Sequence, residues 1–338
     1  MNVAAEEKVG QIQQMGRIYS SAAAVVAWLG EEDDDTEPAF SMLKQLAIPG
    51  AWRSLRLVSA SSRAGLLSVI RLFQRTYFTR AWIVQEVVLA ARVMVLCGKC
   101  EIDWDVLAQA SHVFMTTGLR VSMNTMRKEQ APAEADVSFS SPTVLRAIKN
   151  DREKGQPWYD TLLHTLIRTR NFKSANPSDK LYSLLGLIQQ HVQNKALLRP
   201  EYEVQSTETT YKNAAIQILT ESDDLLLLSC VEGELFQHSE SAEPMPSWVP
   251  DWREEKPLGL RGTGYARYWA AGEELTQRPV IDRLASTLTL KGLKLDEISR
   301  TGETKYEVFG SGPPSFPGWA DILTSLPPSY RGMRRDTD

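Results

Sequence analysis

Two short uncharged apolar runs, each closed by a glycine, constrain this chain more than any other feature. The first is Ala23-Ala24-Val25-Val26-Ala27-Trp28-Leu29 before Gly30, and the second is Val93-Met94-Val95-Leu96-Cys97 before Gly98. The first suits a strand buried on both faces, and the second is another apolar strand. Helical patterns lie around and between them. Val9, Ile12, Met15, Ile18 and Tyr19 recur at helical spacing, a helix begins near Pro38, another spans Ser62 to Arg75, and Trp104 to Phe114 follows Asp103 as a cap. Strand alternating with helix predicts an α/β fold built on a parallel sheet.

Beyond residue 115 the pattern changes. Thr116 to Ser141 is poor in large apolar residues and reads as an exposed loop or linker. Helical patterns return at Pro142 to Lys149, Trp158 to Arg168, Asp179 to Ile188 and Ser206 to Thr220. Pro244 to Trp252 holds three prolines and two tryptophans, which suits an extended connection docked on the core. Thr287 to Lys291 alternates like a strand, and Gly310 to Pro317 with the basic end Arg331 to Arg335 reads as a loose tail. The division expected is 1–115 as an α/β domain, 116–141 as a loop or linker, 142–300 as a mostly helical region with a few short strands, and 301–338 as a tail.

Composition narrows the function classes. With 338 residues the chain can build a substantial core. A net charge of −4 argues against nucleic acid and anionic lipid, which are bound by clustered Lys and Arg. No apolar stretch approaches the roughly 20 residues of a membrane helix, so no membrane span is expected. The N-terminus carries no secretory pattern, and three cysteines make no disulfide framework. A reducing, cytoplasmic location is the expectation.

Most catalytic signatures are missing. Cys97-Gly98-Lys99-Cys100 has dithiol spacing but lacks a second pair for zinc, and it follows a strand instead of opening a helix. His112, His164, His191 and His238 are scattered without metal spacing, no Gly-x-Ser-x-Gly elbow occurs, and Gly262-Thr263-Gly264 lacks the third glycine of a dinucleotide fingerprint. No metal site and no bound cofactor are predicted. What remains is Arg80-Ala81-Trp82-Ile83-Val84-Gln85-Glu86. If helical, this run sets the Trp82 indole and the Glu86 carboxylate on one face, one turn apart, as an acid beside a flat aromatic. The plainer reading has Ile83, Val87 and Leu89 in the core and Glu86 paired with Arg80.

Four segments in order resemble the fungal heterokaryon incompatibility (HET) domain family. They are Glu7-Lys8-x-x-Gln11-Ile12-x-x-Met15-x-x-Ile18-Tyr19, Val25 to Gly30, Phe78-x-Arg80-x-Trp82-x-x-Gln85-Glu86, and Cys97-Gly98. The resemblance continues through Asn176 to Leu187, Pro200-Glu201-Tyr202 and Pro246 to Trp252, covering about Met1 to Ile298. The family's earlier Ser-Tyr-x-Trp-Gly and Asp-x-x-Cys-Ile-Asn-Gln segments have no counterpart, which implies an N-terminally truncated HET domain whose sheet leaves an unpaired edge and apolar faces uncovered.

The family in turn resembles the Toll/interleukin-1 receptor (TIR) fold, a flavodoxin-like parallel sheet in which some members cleave NAD. The resemblance implies Glu86 as the candidate catalytic acid, with Arg80, Trp82 and Gln85 as candidate ligand-binding residues and NAD as the candidate substrate. A carboxylate beside the nicotinamide ribose would stabilise an oxocarbenium-like transition state. The function implied is non-self recognition and programmed cell death signalling through self-association or a protein partner. A non-catalytic interaction scaffold and an inactive remnant are the alternatives.

Overall fold

The helical spacing from Val9 to Tyr19 produces α1 (Val3–Ser21) in the computed structural model. The structure describes residues 3–54, 59–119, 123, 139–188, 198–202, 204–231, 245–253, 278–292, 300–302, 317–325, 329–330 and 333–334. Residues 1–289 form one unit and 290–338 a second.

After α1 the first apolar run becomes β1 (Val25–Trp28), and the acidic loop behind it leads into α2 (Thr36–Ala47) and α3 (Ala60–Phe73). Ser59 caps α3, its hydroxyl accepting from the Ser62 N–H at 3.3 Å. A 3-10 turn at Thr76–Thr79 and the short α4 (Ile83–Val88) precede the second apolar run, β2 (Val93–Cys97). A hairpin through Gly98 and Lys99 adds β3 (Cys100–Asp103), and α5 (Trp104–Thr116) begins at once, with Asp103 accepting from the Asp105 N–H at 2.9 Å. Gly98 sits at φ +53°, where a Cβ would overlap the Glu32 side chain, so glycine is required at this turn.

The sheet runs β1-β2-β3. β1 and β2 are parallel, with Val25 opposite Val93 and Trp28 opposite Leu96, as the two apolar runs predicted. Two expectations are corrected. The sheet is mixed, because β3 pairs antiparallel to β2 (Cys97 opposite Cys100); its polar residues Glu101 and Asp103 hid it from a search for apolar runs. And β1 is buried on one face only: Val25 and Ala27 face the core, while Val26 and Trp28 are 56% and 48% exposed. An uninterrupted apolar run therefore did not mean two covered faces.

The second half of the larger unit is mostly helical, with α6 (Ser141–Arg152), α7 (Trp158–Arg168), the single turn α8 (Asp179–Tyr182) and α9 (Thr207–Glu221), then a hairpin of β4 (Val280–Asp282) and β5 (Thr287–Thr289). The strand expected at Thr287 to Lys291 is β5. The core is continuous from Val25 through Phe73, Phe114 and Leu145 to Trp252, so the α/β part and the helices share it. Trp248 and Trp252 are buried, as the docked proline-rich connection required. Arg170, 1% exposed, holds that connection: its guanidinium donates to Cys230 O at 3.0 Å and Asp251 O at 2.7 Å and lies over the Trp252 ring. Most of the expected linker, residues 120–122 and 124–138, lies outside the described residues, as do Gly262 to Gly264 and residues 310–316 of the expected tail. The smaller unit contains α10 (Pro317–Ser325) and a hairpin of β6 (Ser329–Tyr330) and β7 (Met333–Arg334). Among the described residues no helix is long and apolar enough to cross a membrane.

Candidate functional site

The run Arg80 to Glu86 is held at both ends before its side chains are placed. Ahead of it, Arg75 straps the loop after β1, donating to Leu29 O and Glu31 O at 3.0 Å each and to Asp33 at 2.8 Å. The 3-10 turn then drives Tyr77 and Phe78 inward, and Phe78 stacks on Phe73 with ring centroids 4.8 Å apart. At Arg80 the backbone bridges to Lys173: the Ala81 N–H donates to Lys173 O at 2.8 Å and the Lys173 N–H returns to Thr79 O at 2.5 Å. α4 starts from this bridge and presents three different environments.

Glu86 is half-buried, and its Oε2 accepts from the Tyr77 hydroxyl at 3.1 Å. Burial pushes the Tyr77 phenol well above its ordinary range, and the Glu86 carboxylate adds to the effect. Tyr19, on α1, is raised for the same two reasons, with Arg80 opposing. Glu86 thus accepts from one phenol and acts through space on a second, Tyr19.

Trp82 points elsewhere. Its Nε1 donates to Asp179 Oδ2 at 3.3 Å, and the other oxygen of Asp179 accepts from the Tyr202 hydroxyl at 2.5 Å. Asp179 is buried, Tyr182 packs edge-on against Tyr202 at 5.1 Å, and the Lys8 ammonium sits 3.7 Å above the Tyr202 ring. The adjacent Lys180 is buried too, its ammonium donating to Arg170 O and Phe172 O.

Gln85 is completely buried. Its Nε2 makes a long 3.5 Å contact to Tyr182 O, while Oε1 has no hydrogen-bond partner among the described residues. The amide fits there because two glycines make room: a Cβ on Gly186 would overlap Gln85 Oε1 and press on Gly16 Cα.

The four predicted site residues are therefore neighbours along the chain whose side chains diverge. Glu86 goes to Tyr77, Trp82 to Asp179, Gln85 into the core, and Arg80 to the surface. Reading by residue type missed Asp179, Tyr202 and Tyr77. Asp179 and Tyr202 lie within segments already marked by the family resemblance, so that signal could have found them; Tyr77 carries none. Chemically, the Glu86 side offers one carboxylate with a phenol on one oxygen, while the Trp82 indole is directed to Asp179 with its N–H already engaged. Cys97 and Cys100 are free thiols, and burial with the acids Glu32 and Glu37 pushes the Cys100 thiol up, against a reactive thiolate. Among the described residues no group of three or more His, Cys, Asp or Glu is placed to hold a metal.

Residues 2–86 match the family model described as heterokaryon incompatibility protein (HET). A similar protein is heterokaryon incompatibility protein 6, OR allele, of Neurospora crassa, 24% identical over an alignment of 300 residues that covers 73% of this chain and 42% of the relative. The chain thus spans less than half the length of that relative. No solved structure matches it. The matched segment runs from α1 through the Trp82-to-Glu86 stretch, which supplies Tyr77 and the Trp82 donor to Asp179, and over that segment the chain is similar to the heterokaryon incompatibility (HET) family.

Proposed function

We propose that the chain serves fungal non-self recognition and programmed cell death signalling by contacting protein, either a partner or another copy, and not by turning over a small molecule. The match of residues 2–86 to the HET family model and the similarity to a heterokaryon incompatibility protein support the recognition role. One observation favours contact over catalysis: the residues that would form a pocket are consumed within the chain. Gln85 is sealed in the core, the Trp82 N–H is spent on Asp179, and Glu86 is bonded to Tyr77. On this reading Arg80 to Glu86 is a structural junction that locks the HET segment to the helical region, and that joined body presents the recognition surface in the cytoplasm. The parallel β1–β2 pair with its flanking helices supports a TIR-like, flavodoxin-like ancestry for the α/β part, and with it an NAD-cleaving ancestor.

Overexpression in fungal cells tests the proposal against its enzymatic rival. Glu86→Gln keeps an acceptor for Tyr77 and is expected to kill as the parent does, whereas Asp179→Ala, which opens the junction, is expected to lose the phenotype. Nicotinamide release by the purified protein, abolished by Glu86→Gln, would overturn it in favour of NAD hydrolysis.

A further inference from the structure

The edge of β1 is armed for pairing. The Val25 N–H donates to Arg92 O at 2.9 Å and the Leu29 N–H to Leu96 O at 2.8 Å, so the odd-numbered residues turn their backbone groups toward β2. The N–H and C=O groups of Val26 and Trp28 then point to the opposite edge, where the sheet has no further strand among the described residues. The same two residues carry the exposed side chains of the strand.

The two edges of the sheet differ in chemistry. β3 carries Glu101 and Asp103, the charges by which natural edge strands resist adding another strand. β1 carries none: from Ala22 to Gly30 there is no charged residue and no proline. An edge that is uncharged, β-branched and aromatic is suited to strand addition.

We infer that β1 pairs antiparallel with β1 of a second copy of this chain about a two-fold axis through Ala27. The register follows from the free groups. Within β1 it is Val26 and Trp28 that turn their backbone groups to this edge, and an antiparallel pair that hydrogen-bonds Val26 to the partner copy's Trp28, and the reverse, uses all four of these groups on each strand. Ala27 then faces its symmetry mate at the closely spaced, non-bonded position, about 4.5 Å between Cα atoms, and alanine is small enough for it. On the outer face each Val26 meets a Trp28, a β-branched and aromatic cross-strand pair. Glu31, the first charge after the strand, falls opposite the partner copy's Ala23, so no like charges meet. Val25 and Leu29 pair on the inner side, continuing each core into the next, and two three-stranded sheets become one of six. This names the surface for the protein-contact reading and rests on that reading for its role in recognition; the pairing itself rests on the edge geometry.

Sedimentation velocity on the full 338-residue protein across a concentration series tests it. A monomer–dimer equilibrium is expected, and Val26→Lys and Trp28→Lys should each weaken it by about tenfold, because a lysine at either position charges the edge. Both side chains are exposed, so circular dichroism melts of the two variants should match the parent. The register is read separately by mixing Val26→Cys with Trp28→Cys protein under mild oxidation: a disulfide-linked peptide joining the two introduced thiols should form in the mixture faster than any cross-link in either variant alone. A monomer at every concentration, a dimer indifferent to both lysines, or cross-links confined to the native cysteines would overturn the pairing. A dimer with the expected register in cells that show no incompatibility reaction would sink the recognition reading and leave the pairing standing, whereas a monomer that still triggers the reaction would do the reverse.

Discussion

Trp82 and Asp179, 97 residues apart in the chain, are joined by a 3.3 Å hydrogen bond from the indole N–H to a buried carboxylate oxygen. The bond turns a sequence landmark of the HET segment into a joint with the helical region. The same carboxylate is held by Tyr202, so one buried charge has two donors, one on each oxygen.

Removing that charge should cost more than removing either donor. Asp179→Ala leaves the Trp82 and Tyr202 donors unpaired in a buried site and is expected to lower unfolding stability by about 2–4 kcal/mol, against about 1 kcal/mol for Trp82→Phe or Tyr202→Phe. Urea denaturation of the single variants, with a Trp82→Phe/Asp179→Asn double-mutant cycle, checks this; a coupling energy near zero would show that the bond contributes nothing.

Gln85 makes a contrasting case, because its buried Oε1 is unpartnered among the described residues. Gln85→Met fills the same space without an orphan acceptor and should leave stability within about 1 kcal/mol of the parent. Gly186→Ala, which forces a methyl group into the amide, should cost about 1–3 kcal/mol. Thermal unfolding of both variants distinguishes a cavity shaped around the amide from a loose one.

The buried tyrosines set an alkaline limit. Tyr77, Tyr202 and Tyr211 are all raised above the ordinary phenol range, in each case chiefly by burial, with Glu86 adding at Tyr77 and Asp179 at Tyr202. A raised native pKa means the folded state holds the proton more tightly. Their contribution is therefore fully present below the unfolded phenol pKa of about 10 and is lost as pH rises beyond it. Unfolding followed by tyrosinate absorbance should begin above about pH 10, and Tyr77→Phe should move that onset upward.

Lys180 and Arg170 bind main-chain carbonyls in the core, Lys180 those of Arg170 and Phe172, Arg170 those of Cys230 and Asp251. Replacing either by methionine keeps the stem but strands buried acceptors, with an expected loss of about 2–4 kcal/mol. Limited proteolysis within residues 245–253 should accelerate in Arg170→Met well beyond its effect in an exposed control such as Arg63→Met.

Local patterns along the chain were enough to locate β1 and β2, the helices that flank them and the resemblance to the HET family over residues 2–86. Apolar runs closed by Gly30 and Gly98 and helical periodicity are carried by residues within a few positions of one another. The parallel pairing of β1 with β2 followed from the same signals. β3 was illegible because a strand at a sheet edge tolerates Glu101 and Asp103, leaving no apolar run to see. It took the packed chain to show that Val26 and Trp28 face outward, since an apolar residue in a strand says which face it sits on and not whether anything covers that face. Packing also separated Trp82 from Glu86. Spacing of four placed them on one helical face, but α4 begins after Trp82, and the partners that claim each side chain, Asp179 and Tyr77, arrive from opposite directions along the chain, by contacts that no local pattern encodes.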